Sequence, residues 1–90
     1  MEKNSVILIT GGTGSFGHTF IPSTLRRYSP KSLVIFSRDE MKQWEMAQDY
    51  QDDQRVKFII GDVRDSDRLK RSLYGVDYVI HAAATKIVPS

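Results

Sequence analysis

The sequence predicts an α/β fold, a parallel sheet in the order 3-2-1-4 with helices on both faces. Three observations lead there. Four apolar, β-branched runs recur along the chain, and the first two lack the polar alternation of a half-exposed strand, as expected where both faces are buried. Between the runs, apolar residues recur at steps of three and four, the period of a helix. A glycine cluster, "GGTGSFG" at 11–17, joins the first strand to the first helix.

The elements follow in order. Val6–Thr10 is the first strand, stopped by glycines. From Ser15 to about Tyr28, Phe16, Phe20, Ile21, Leu25 and Tyr28 line one side of a helix. Pro22 lies inside it, removes a backbone donor at a cost of about 3 kcal/mol, and predicts a kink. "SPKS" marks a turn, and Leu33–Ser37 is the second strand. Asp39 then caps a helix whose apolar stripe is Met41, Trp44, Ala47 and Tyr50, with Trp44 in the core. "QDDQR" interrupts, Val56–Ile60 is the third strand, and Gly61-Asp62 ends it. A third helix starts at Asp65 or Ser66, turns Leu69 and Leu73 inward, and has Gly75 just past its end. Val76 to Ala84 is the fourth strand, running into three alanines.

Strands that alternate with helices build a parallel sheet, and right-handed crossovers leave few topologies, of which the order 3-2-1-4 is expected. In a complete doubly wound domain the fourth strand has a fifth beside it. The sheet is therefore expected to be incomplete, with an apolar edge exposed to self-pairing. The expectation for residues 1–90 is the amino-terminal portion of a dinucleotide-binding domain whose catalytic and substrate-binding remainder lies elsewhere in a longer enzyme.

Composition narrows the function. The chain is 40% hydrophobic and 27% charged, as in a globular domain. A net charge of +2, with bases dispersed among acids as in "DVRDSDRLKR", and no basic stripe interleaved with aromatics, argues against nucleic acid as a partner. Without cysteine there is no disulfide framework and no thiolate metal site, and no metal is expected. The apolar stretch at 5–10 falls far short of the roughly 20 residues of a membrane span, so no membrane association is expected either. These features fit a cytoplasmic protein.

The glycine run overlaps three phosphate-gripping templates. Gly12 to Gly17 has P-loop spacing, but His18 stands where that loop needs a lysine ammonium on the phosphates. Gly12-Thr13-Gly14-Ser15-Phe16-Gly17 also spells the kinase glycine loop, yet a helix follows it and "LVIFSR" carries no lysine. The third template, Gly11, Gly14 and Gly17 between a strand and a helix, is the dinucleotide fingerprint. There Gly11 permits the turn, Gly14 lets the backbone approach a pyrophosphate, and Gly17 lets the helix pack closely, with the helix N-terminus facing the phosphates. The plain alternative is a tight strand-to-helix turn.

Contacts further along the chain favour the fingerprint. At the end of the second strand, where an NAD enzyme places an acid for the ribose diol, stand Ser37 and Arg38. A guanidinium fork suits a 2′-phosphate, so NADP is expected over NAD, with Lys42 one turn on as a second cation. The alternative for Arg38 is a solvated charge beside Asp39 and Glu40. Asp62 and Val63, at the carboxyl end of the third strand, are placed to read adenine, the alternative for Asp62 being a helix cap. Ala82, Ala83 and Ala84 are small where a nicotinamide ribose would pass, or merely close-packed. His81 reads as a packed strand histidine and His18 as a helix-surface residue.

The runs "ILITGGTGSFG", "VIFSRDEMKQWEMAQ", "FIIGDVRD" and "GVDYVIHAAATKIVP" together resemble the extended short-chain dehydrogenase/reductases. Within that superfamily they are similar to the UDP-N-acetylglucosamine 4,6-dehydratases of bacterial polysaccharide and glycan synthesis, including the C5-inverting type. The resemblance implies a Rossmann-type domain that holds NADP tightly. It also implies a reaction in which hydride leaves C4 of the UDP-sugar, water is eliminated across C5–C6, and hydride returns to C6. By resemblance, Gly11, Thr13, Gly14, Ser15, Phe16 and Gly17 contact the cofactor phosphates, and Ser37, Arg38 and Lys42 hold the 2′-phosphate. Asp62 and Val63 then meet the adenine, and Ala82, Ala83 and Lys86 lie near nicotinamide and substrate. It further implies a homo-oligomer once the chain is complete. The superfamily's Y-x-x-x-K pair occurs nowhere here, since Lys31 follows Tyr28 one position too early, so no catalytic residue is expected in this chain and the 90 residues alone should be inactive.

Overall fold

The computed structural model describes residues 2–82 and the backbone of 86–89. Its elements are β1 (Val6–Thr10), α1 (Ser15–Tyr28), β2 (Ser32–Ser37), α2 (Glu40–Ala47), a 3-10 turn (Gln48–Tyr50), β3 (Val56–Ile60), α3 (Ser66–Ser72), β4 (Tyr78–His81) and β5 (Lys86–Pro89). The sheet order is β3-β2-β1-β4-β5. The first four strands are parallel, with Ile9 opposite Ile35 on one side and Ile80 on the other. This is the predicted 3-2-1-4 arrangement.

Why β1 sits at the centre follows from its residues. Ile7, Leu8 and Ile9 are fully buried, so both faces of the strand need cover, and each side chain contributes about 1.5–3 kcal/mol by leaving water. Ile7 and Ile9 join Ile21 and Leu25 of α1 and Met46 of α2 on one face. Leu8 joins Val34, Phe36 and Val79 on the other, beneath Leu69 and Leu73 of the α3 side. The crossover after β3 thus carries the chain to the opposite face, because β4 lies on the far side of β1. Helix α1 continues from Ser15 to Tyr28 across Pro22 and ends at Ser29, whose φ is 45°.

Three expectations are corrected. The fourth strand begins later than Val76: Val76 donates to the Leu73 carbonyl, Asp77 to that of Val6, and regular pairing runs over Tyr78–His81, with Ala83 and Ala84 outside the described residues. The edge of β4 is also not open. β5 pairs with it antiparallel, Lys86 opposite His81 and Pro89 opposite Tyr78.

The stripe of α2 is rotated as well. Met41 and Trp44 are 67% and 65% exposed, whereas Gln43 and Met46 are buried, with Tyr50 packed against the core. A polar residue occupies the inward position and so conceals the stripe. Trp44→Gln should therefore shift unfolding free energy by no more than about 0.5 kcal/mol, against about 3–5 kcal/mol for a core tryptophan cut back to alanine, as a denaturant titration would read. Among the described residues no helix is long and apolar enough to cross a membrane, and no cluster of His, Cys, Asp and Glu could hold a metal ion.

Candidate functional site: a cleft at the carboxyl ends of the strands

The carboxyl ends of β1, β2, β3 and β4 open into a single cleft of about 880 Å³. Eleven of the residues singled out in the sequence line it: Gly11, Thr13, Gly14, Ser15, Phe16, Ser37, Arg38, Lys42, Asp62, Val63 and Ala82. Gly17 lies behind the lining. Ala83 is outside the described residues, and of Lys86 only the backbone is described.

The glycine turn forms one wall. Gly11 has φ +69° and donates to the Phe36 carbonyl at 2.9 Å, which pins the turn to β2. Gly17 is required by contact: a Cβ there would overlap the Gly12 carbonyl, so it is the turn itself, more than the sheet, that demands hydrogen at this position. At Gly14 a Cβ would meet nothing nearer than the Gly11 carbonyl oxygen at 3.8 Å, which leaves its backbone open to the cleft.

Helix termini distinguish the wall further. Asp39 caps α2 by accepting from the Lys42 amide at 3.0 Å, and Asp65 caps α3 by accepting from that of Arg68 at 3.2 Å. Both helices also carry an acid in the first turn, Glu40 and Asp67. Helix α1 has neither: its cap is Gly14, no side chain bonds its amides, and its first turn holds no acid. Its free N–H groups and positive dipole end therefore face the cleft uncompensated, an arrangement suited to an anion.

The opposite wall carries the charges. Arg38 is exposed and lies 3.6 Å from Asp62. Asp62 is gripped more firmly by Arg64, whose amide and guanidinium both donate to it, the closest contact 2.8 Å. Those hydrogen bonds hold the Asp62 carboxyl far below the usual carboxylate range, so it stays an ionised acceptor at neutral pH. It does not cap α3, which settles the alternative reading of that residue. Since Arg64 holds Asp62 more closely, the exposed Arg38 is free to turn to another anion.

Two residues that bear on the cleft were not singled out. Arg64 stands two places after Asp62 in "GDVRD", a spacing that lets a guanidinium fold back on a carboxylate, and that was the available signal. Buried Gln43 reaches the end of β2 from α2. His81 is corrected: it is exposed at the cleft, its Nδ1 bonded to Thr10 Oγ1 at 2.9 Å, instead of packed. His18 is exposed on α1, as expected.

Comparison with known proteins accords with this geometry. The chain is 53% identical, over 98% of its length, to the inverting UDP-N-acetylglucosamine 4,6-dehydratase of Campylobacter jejuni. It is 44% identical, over its whole length, to the UDP-glucose 4-epimerase of Rickettsia bellii. It spans about a quarter of those relatives, 25% and 27% respectively. Among solved structures, Pen from Bacillus thuringiensis superposes with a TM-score of 0.83 at 33% identity, over 90% of this chain and 25% of that one. A family model described as "Polysaccharide biosynthesis protein" matches residues 7–90, which takes in the whole cleft and every strand but the first residue of β1. With nearly its full length matched, the chain belongs to the polysaccharide biosynthesis protein family, whose Rossmann-like sheet it carries.

Proposed function

We propose that these 90 residues are the amino-terminal, NADP-holding portion of a cytoplasmic, homo-oligomeric sugar-nucleotide 4,6-dehydratase acting on UDP-N-acetylglucosamine. The observation that carries the reading is the convergence, in one cleft, of the uncompensated α1 N-terminus with Ser37, Arg38 and Lys42. Gly11 and the turn from Thr13 to Gly17 would hold the pyrophosphate, and Ser37, Arg38 and Lys42 the 2′-phosphate. Asp62 would accept from the adenine amino group while the Val63 amide reads the ring. Ala82 would leave room for the nicotinamide ribose, and by the family resemblance Ala83 and Lys86 would lie near the nicotinamide and the sugar.

When bound, the nicotinamide supplies a hydride acceptor and donor. The residues here bind and orient it; a base or acid for the elimination must come from beyond them, since no tyrosine in the chain has a lysine four places on. The higher identity to the C. jejuni dehydratase than to the epimerase favours dehydration. Incubation of the full-length protein with UDP-N-acetylglucosamine should yield a 4-keto-6-deoxy sugar, lighter by one water in mass spectrometry. A C4-epimerised sugar would instead make it an epimerase. The cover that β5 gives the β4 edge favours one further reading, a nucleotide-binding module without chemistry, which unchanged sugar together with NADPH binding would support.

A further inference from the structure

Gln43 is the least expected buried residue of the chain, a carboxamide 4% exposed on the inner side of α2. Its Nε2 lies 2.8 Å from the Ile59 carbonyl, 3.2 Å from the Ser37 carbonyl and 2.9 Å from Ser37 Oγ. Two of these partners are carbonyl oxygens and can only accept, which fixes the amide with its nitrogen toward them. The nitrogen has two hydrogens and cannot accept, so Ser37 Oγ accepts from it, sharing one N–H with the Ser37 carbonyl while the other goes to that of Ile59. The hydroxyl is left with its own proton, and among the described residues no acceptor within bonding distance takes it. Ser37 lines the cleft beside Arg38 and Lys42.

The geometry points to Gln43 as a positioning residue that fixes the Ser37 hydroxyl as a donor into the cleft, and thereby as a determinant of cofactor choice. A phosphate monoester offers only acceptor oxygens of high charge, so a hydroxyl locked as donor serves it through a charge-assisted bond. A ribose 2′-hydroxyl is neutral and gains less. Gln43 touches no ligand in this arrangement and acts through Ser37. The inference rests on the reading of the cleft as an NADP site.

The test is a double-mutant cycle on the full-length protein, with NADPH and NADH affinities measured well below each variant's melting midpoint. Gln43→Met should weaken NADPH about five- to tenfold and NADH less than about twofold, and Ser37→Ala should do the same. In the double variant the losses should not add, because both remove one hydrogen bond. Should Gln43→Met fail to fold, Gln43→Asn gives the same readout, withdrawing the amide by one methylene with a smaller packing change. A cofactor ratio unaltered by the Gln43 variants, or losses that add fully with those of Ser37→Ala, would overturn the inference while leaving the NADP reading in place. Equal affinity of the unmutated protein for the two cofactors would remove that reading and this inference together.

Discussion

Gly17→Ala should cost about 3 kcal/mol of stability and lower the melting midpoint of a domain this size by roughly 12–24 °C. The cause is contact, not backbone conformation. The added methyl would overlap the Gly12 carbonyl, a backbone group that cannot swing aside as the end of a flexible side chain can. Gly12 itself lies close against the sheet, where an added Cβ would fall 2.9 Å from Ile9 and 3.3 Å from Ile35. Gly14→Ala is the matched control: its methyl meets nothing nearer than 3.8 Å, and its φ of −86° suits alanine. It should keep the midpoint within a few degrees while obstructing a pyrophosphate at the α1 N-terminus. Circular dichroism melts and cofactor titrations of the two variants separate the effects. A Gly17→Ala protein that melts with the unmutated one would mean that the turn is not built as described.

Arg38→Ala should weaken NADPH binding by about 10- to 100-fold, the range of a hydrogen-bonded charge pair, and NADH binding less than about twofold. NADH should be spared because Arg38 contributes little to the rest of the site. Its pairing with Asp62 at 3.6 Å is the weaker of two, and Arg64 at 2.8 Å keeps the carboxylate in place for adenine when Arg38 is gone. Ser37→Asp should act in the same direction, since a carboxylate there repels the phosphate and accepts from a ribose diol. Raised salt should shrink the Arg38 effect, because the side chain is 73% exposed and open to screening. Equal losses for both cofactors would make Arg38 a general surface charge.

β1 and β2 were legible because they are buried on both faces, and β3, half-buried to exposed, was legible from its compact apolar run. Val6–Thr10 and Val56–Ile60 have the bounds read from sequence, and β2 differs only by Ser32. The glycine turn was legible because positive φ at Gly11 and contact at Gly17 leave few alternatives to glycine. What failed depends on neighbours distant in sequence. Trp44 read as core because a three-residue step with Met41 and Ala47 mimics an apolar stripe. The true inner side carries Gln43, held there by carbonyls of β2 and β3 that no local pattern announces. β5 is short, ends in proline, and pairs only because β4 presents an edge beside it. His81 is the last residue of β4, and its ring meets the cleft where a packed strand histidine was expected.

The central claim is that one cleft distinguishes a 2′-phosphate from a 2′-hydroxyl, and the most direct measurement is the ratio of dissociation constants for NADPH and NADH in the unmutated full-length protein at low salt. Ser37, Arg38 and Lys42 line the same cleft, and with the 2′-phosphate role proposed for them NADPH should bind at least about tenfold more tightly. Equal affinities, or tighter binding of NADH, would contradict it.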